Sequence, residues 1–227
     1  MKNNRLAKRV IQYLLGLLSM GLGIVFLKRA ALGITPITSI PAAVAEITPF
    51  TLGNVTIALH IVCVIGQILI LRRVTLKALL TIAVGFVFGY IVDGLMLLIP
   101  ALPLFRGIVV RCVMLLLGTV CNGLGVALIV GSDLMLPAPD EMTHTISQVY
   151  CKKLANVKII SDACYVAISI VIDLAAAGRI YTVGVGTVVS VLLTGKFIGL
   201  FTKIIPGITL PPFWKQPEAR GRGGADA

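Results

Sequence analysis

Acidic residues are scarce in this chain. Its 227 residues hold 9 Asp and Glu against 20 Lys and Arg, charged residues make up 13%, and there are only two His and one Trp. Soluble domains carry about 25% charged and 45–50% apolar residues. Here apolar residues reach 58% and mean hydropathy is +1.02, which excludes a water-soluble globule. The length excludes a large multi-domain enzyme. The five cysteines (Cys63, Cys112, Cys121, Cys151 and Cys164) have no metal-ligand spacing and form no disulfide framework. Most lie inside apolar runs, where Cys behaves as a small apolar side chain. H-E-x-x-H, G-x-S-x-G, Walker A and paired-cysteine motifs are all missing. The lone Gly21-x-Gly23 sits within an apolar run rather than at a strand-to-helix turn, which excludes dinucleotide binding. No catalytic residue, metal or cofactor is expected.

What the chain does have is apolar length. Residues 10–27, 55–71, 78–99, 108–130, 157–177 and 183–205 each meet the roughly 17–25 residues needed to cross a bilayer. Residues 38–50 and 140–150 are too short to span and read as half-helices. The first run has the basic start of a signal peptide. Lys28 and Arg29 follow it directly, however, no A-x-A-like site is present, and the segment recurs later, so it reads as the first helix. With the N-terminus placed in the cytoplasm, Lys2, Arg5, Lys8, Arg9, Arg72, Arg73, Lys77, Lys152, Lys153, Lys158 and four further basic residues after 200 fall inside. Only Lys28, Arg29, Arg106, Arg111 and Arg179 fall outside, a ratio of 14 to 5. The +11 net charge is therefore a topology signal with some attraction to anionic lipid, and nucleic acid is not an expected partner.

The most informative feature is an internal repeat. Arg9 to Ile24 reads RVIQYLLGLLSMGLGI, and 102 residues later the chain reads RCVMLLLGTVCNGLGV. Arg9/Arg111, Gly16/Gly118, Gly21/Gly123 and Gly23/Gly125 coincide, and the same shift aligns TLGNV (51–55) with KLANV (153–157). After a four-residue insertion, Thr81 and Gly89 align with Thr187 and Gly195. Each copy holds three crossings and one short segment. Three is odd, so the second copy is inverted, an arrangement common among transporters. The expected organisation is a basic N-terminus (1–9), repeat one (10–105), repeat two (106–205) and a disordered cytoplasmic tail (206–227) with Phe213 and Trp214 at the interface.

The glycine-rich first helix, LGITPIT (32–38), LGNV (52–55) and their duplicated versions resemble the bacterial YczE/YitT-type integral membrane proteins up to about residue 205. The resemblance implies a small inner-membrane protein, with transport as the usually suggested activity. Where that family's second repeat reads L-G-x-G-P-x-D, this chain has LMLPAPD, so only Leu134 and Asp140 fit.

Candidate site residues fall into two groups. Thr35 and Pro36 read as N-cap and first residue of a half-helix, with Thr38 in its first turn. Such an end suits an anion, with Arg29 nearby, or is ordinary capping. In repeat two, Pro139 occupies the first helical position, and Asp140 with Glu141 makes that end suited to a cation or proton. The second group is the intramembrane ionisable residues His60, Asp93, Asp162 and Lys196, which need partners. Depth along the helices suggests an outer pair, His60 with Asp93, and an inner pair, Asp162 with Lys196. These relay protons, coordinate a solute or fix helix register. Gln67 and Asn122 read as interhelical hydrogen-bond formers, the paired glycines as close-crossing sites, and Asp173 and Arg179 as solvated charges.

The expected molecule is thus an all-α polytopic membrane protein of six transmembrane helices and two short re-entrant helices in two inverted three-helix repeats. It is expected in the bacterial inner membrane with both termini cytoplasmic, moving a small polar solute or ion by alternating access. The alternatives are a substrate-binding subunit needing an energising partner, and a non-transporting accessory protein. A homodimer through the glycine-rich helices is also an expectation.

Overall fold

The computed structural model describes residues 2–100 and 107–205. Its regular elements are eight helices: α1 (Lys2–Ala30), α2 (Pro36–Ile47), α3 (Leu52–Leu71), α4 (Leu76–Leu98), α5 (Ile108–Ser132), α6 (Ala138–Val149), α7 (Leu154–Ala177) and α8 (Val185–Ile204). Six are long and apolar enough to cross a membrane, so this is an all-α polytopic membrane protein. The other two, α2 and α6, have 12 residues each. That is about 18 Å at the helical rise, too short for about 30 Å of hydrocarbon.

The short helices start and end two to three residues earlier than expected at 38–50, and one to two earlier than at 140–150. Their prolines explain the starts. Pro36 and Pro139 have no N–H to lose in a first turn, where donors are unpaired anyway. α1 in turn begins well before the apolar run, because Lys and Arg are good helix formers and the first glycine is Gly16. Within the expected 1–9 segment, residues 2–9 are therefore the first turns of a helix, not a separate segment. The expected tail at 206–227 and Arg106 lie outside the described residues.

α1 and α5 form the centre. They cross antiparallel, backbone to backbone, because glycines meet there. A Cβ on Gly23 would lie 2.8 Å from the Gly118 carbonyl oxygen, and one on Gly125 would lie 2.7 Å from that of Gly16. The contacts are reciprocal under the 102-residue shift: Gly16 meets Gly125 where Gly118 meets Gly23. Ser19 donates to the carbonyl of its own counterpart, Cys121, at 2.8 Å. Arg111 donates to the carbonyls of Ala30 (2.6 Å) and Ala31 at the α1 C-terminus. Arg9 lies 3.6 Å from Asp133, which ends α5 in the left-handed conformation, as Ala31 follows α1. A cation at a helix C-terminus also meets the negative end of the dipole. These glycines are used inside the chain, so a dimer would need another face.

Around this crossing the helices sort into two units. α4 packs on α1 and α8 on α5, giving one unit of α1, α4, α5 and α8. α2 packs on α3 and α7, and α6 on α3 and α7, giving a second unit. The two units meet mainly where α3 lies along α4. Half of the α1 and α5 span residues are buried (50% and 56%), against 11% for α7. Large apolar side chains such as Leu69, Leu97, Ile159 and Val185 stay exposed, as a lipid-facing surface requires.

The crossing yields a stability prediction. Gly125→Val places side-chain atoms where α1 backbone lies and should cost about 2–4 kcal/mol. Gly94→Ala on α4, with nothing within 4 Å of the added carbon, should be neutral or stabilise by up to about 1 kcal/mol through helix propensity. Thermal unfolding followed by circular dichroism in detergent tests both.

Candidate functional site

Both short helices begin inside the protein, at the boundary between the two units. Thr35 is the N-cap of α2 in extended conformation, yet its side chain makes no capping bond to the helix. Its Oγ1 instead lies 2.5 Å from that of Thr38, and Thr38 Oγ1 donates to the Thr35 carbonyl at 3.1 Å. The first N–H groups of α2 thus remain free of side-chain caps, next to buried Thr38. α6 begins after Pro137, with Asp140 and Glu141 in its first turn. Thr38 and Pro41 of α2, His60 of α3, Phe88 of α4 and Asp140 of α6 line one cavity, with room for about one water molecule.

The sequence therefore brings together three of its candidates, Thr38, His60 and Asp140, and places Thr35 beside them. His60 is buried. Its Nδ1 lies 2.8 Å from the Thr56 carbonyl, which can only accept, so Nδ1 carries the proton and Nε2 is left as an acceptor in the neutral ring. The ring packs against Phe88 at 5.9 Å between centroids. Cys63 Sγ and Tyr165 Oη lie 3.6 Å apart. These two are counterparts under the 102-residue shift, as are Thr38 and Asp140, and His60 and Asp162. Of these pairs, Cys63 and Tyr165 are in contact, and Thr38 and Asp140 line the same cavity.

The polar centre is an ionic set of three. Lys158 Nζ lies 2.8 Å from Asp140 Oδ1, which it bonds, and 3.0 Å from Asp162 Oδ1. The Asp162 contact is an ion pair one turn along the same helix. The Asp140 and Asp162 side chains are 15% and 18% exposed and that of Lys158 is 32%, so the set is sheltered but reachable. Two carboxylates thus share one ammonium, with Asp140 in the first turn of α6, where the helix dipole favours a carboxylate. Among the described residues no group of three or more His, Cys, Asp or Glu converges as a metal site.

Neither expected charge pair forms. Asp93 turns away from His60 to accept from Thr51 Oγ1 at 2.6 Å and from the Gly53 N–H at 2.7 Å, tying the end of α4 to the start of α3. His60 instead packs over Gly85, where a Cβ would lie 2.9 Å from its own. Asp162 pairs with Lys158 one turn away, while Lys196 is exposed on α8. Similar depth along two helices does not imply facing sides. Arg29 does not serve the α2 end either, since it donates to the Ile99 (2.9 Å) and Met96 (3.0 Å) carbonyls at the α4 C-terminus. Asp173 is buried rather than solvated, accepting from the N–H groups of Tyr181 and Thr182 and from Thr182 Oγ1. Gln67 does bond between helices, to the Ala138 carbonyl at 3.0 Å.

Lys158 and Tyr165 are the residues that sequence reasoning missed as site members. The i,i+4 spacing of Lys158 and Asp162 was the available signal. Beside the site, Lys77 pairs with buried Glu141 at 2.6 Å in a second crevice, which is also lined by Asp133 and His144.

The shared lysine carries a stability prediction. Lys158→Met leaves two neighbouring carboxylates unpaired and should destabilise by about 1–3 kcal/mol, less than a fully buried pair because Lys158 is partly exposed. Adding Asp140→Asn and Asp162→Asn to that variant should recover most of the loss. Midpoints of thermal aggregation for the single and triple variants check this.

No curated protein and no solved structure matches the chain. A family model does, over residues 7–203, which take in α2 to α7 whole and most of α1 and α8. The chain belongs to the family of unknown function DUF6198.

Proposed function

We propose that this protein is a membrane carrier for a small polar solute or ion, working by alternating access between its two four-helix units. One observation carries the reading. The N-termini of both short helices meet at one cavity between the units, and Asp140 in its wall bonds Lys158, which also pairs with Asp162, near the contact of Cys63 with its counterpart Tyr165. Half-helices that start at mid-bilayer beside ionisable groups are a recurrent way of binding solutes and coupling ions in transporters. A purely structural bundle has no need of a shared ammonium between two carboxylates, since apolar packing is at least as stable.

The two halves act as inverted repeats in this reading. The antiparallel crossing of α1 with its counterpart α5, and the reciprocal glycine and arginine contacts, support that organisation. So does the resemblance of LGITPIT and LGNV to YczE/YitT-type proteins. The orientation has both termini in the cytoplasm of a bacterial inner membrane. Taking Lys158 out of the basic count, because it is paired within the bundle, leaves the asymmetry standing.

The test is counterflow into proteoliposomes, using the small molecules that mass spectrometry finds on the purified protein. Wild-type protein should exchange at least one of them without a partner protein. Asp162→Asn and Lys158→Met should each lower the rate by about tenfold or more, the scale of losing one charged contact to a solute. Uptake that appears only with an added ATPase would instead favour an energised subunit. Unchanged rates in both variants would remove these residues from the path.

A further inference from the structure

The two repeats are not in the same conformation. In repeat one, α3 lies along α4 and the ends far from their connecting loop are closed. Gly53 touches the Gly89 carbonyl oxygen, and a Cβ on Gly89 would come 2.5 Å from Ile57. Asp93 locks that end through Thr51 and Gly53. In repeat two, α7 and α8 do not pack along their length among the described residues. Gly195, the counterpart of Gly89, has nothing within 4 Å of its added Cβ, and nor does Gly199, which stands where repeat one has Asp93. Ala155, the counterpart of buried Gly53, is exposed. Thr194, the counterpart of Phe88, has a buried hydroxyl with no hydrogen-bond partner.

The difference lies between the units, not inside them. α8 holds α5 as α4 holds α1: Gly123 meets Phe197 on α8 where Gly21 meets Ile91 on α4. α7 likewise keeps its packing on α2 and α6, as α3 does on α6 and α2. Only the two unit-to-unit seams differ, one shut and one parted. The hairpins are connected at opposite ends of the bundle in the inverted arrangement, so the seams lie toward opposite membrane faces.

Resting on the carrier reading, we propose that the parted seam between α7 and α8 is the open route to the Asp140–Lys158–Asp162 site, and that Asp93 is the latch closing the opposite route. The charge-based orientation places the open seam on the cytoplasmic side. Lys158 and Asp162 are on α7 and remain partly exposed, as residues on an open route should. The opposite state needs the Asp93 bonds broken and α7 brought onto α8, with Gly195 taking the role of Gly89. Asp93 is thus a gating residue that never touches the solute.

The test reads geometry without any solute. The full-length protein has its five native cysteines changed to alanine and carries Ala155→Cys with Gly199→Cys. It is treated in membranes with copper-phenanthroline, and the disulfide-linked fraction is measured. With Asp93 present the two thiols should link slowly. Asp93→Asn should raise the linking rate by about tenfold, since it weakens two hydrogen bonds to a charged acceptor. Gly89→Val, which wedges the closed seam, should act in the same direction and guards against a folding defect peculiar to one variant. Gly195→Leu, which blocks closure, should abolish the rise while leaving the amount of folded protein unchanged. Equal linking with and without Asp93 and with the wedge, or fast linking in the parent, would overturn the proposal. A latch-dependent rise here, together with no counterflow by the wild-type protein, would leave the gate standing and the carrier reading refuted.

Discussion

The antiparallel crossing of α1 and α5 sets the geometry of everything else. In a bilayer there is no water to drive helices together, so close approach must come from small residues and direct polar contacts. Gly16 and Gly23 on one helix meet Gly125 and Gly118 on the other, with the Ser19 bond to Cys121 midway and an arginine near each end. Because residues 102 positions apart contact reciprocally, the crossing constrains both halves of the chain at once. It sets where α4 and α8 lie, and therefore where the second unit can dock.

The short helices follow from that frame. A 12-residue helix that ends inside the membrane leaves unpaired backbone groups, tolerable only where protein or a polar cavity meets them. α2 and α6 are held by α3 and α7, with Gln67 bonded to the first residue of α6 and Ser39 bonded to the Tyr165 carbonyl at 3.3 Å. Their N-termini bring two positive dipole ends to the unit boundary. Asp140 stands at that boundary and is joined there by Lys158 and Asp162.

Much of this was legible in the residues. Span lengths and the two short helices come from local properties: apolar run length, and Thr and Pro at helix starts. The charge pairs were not legible, because they depend on the rotation of each helix about its axis and on how the units dock. His60 and Asp93 sit at similar depth, yet Gly85 draws one toward α4 while Gly53 and Thr51 draw the other to the start of α3. Lys158 was hidden by its position near the start of α7, where a basic residue reads as one more cytoplasmic charge. The difference between the seams could not be read at all: Gly89 and Gly195 are the same residue in matching positions, and only docking separates them.

The central claim is that a small polar solute or ion binds at the boundary of the two units, on the set of Asp140, Lys158 and Asp162. Its most direct test is the small-molecule and ion content of the purified protein, compared between wild type and the triple variant Asp140→Asn, Lys158→Met, Asp162→Asn. The account predicts at least one polar species held in near-stoichiometric amount by wild-type protein and lost from the folded triple variant. The same bound species in both, at equal amount, would contradict it.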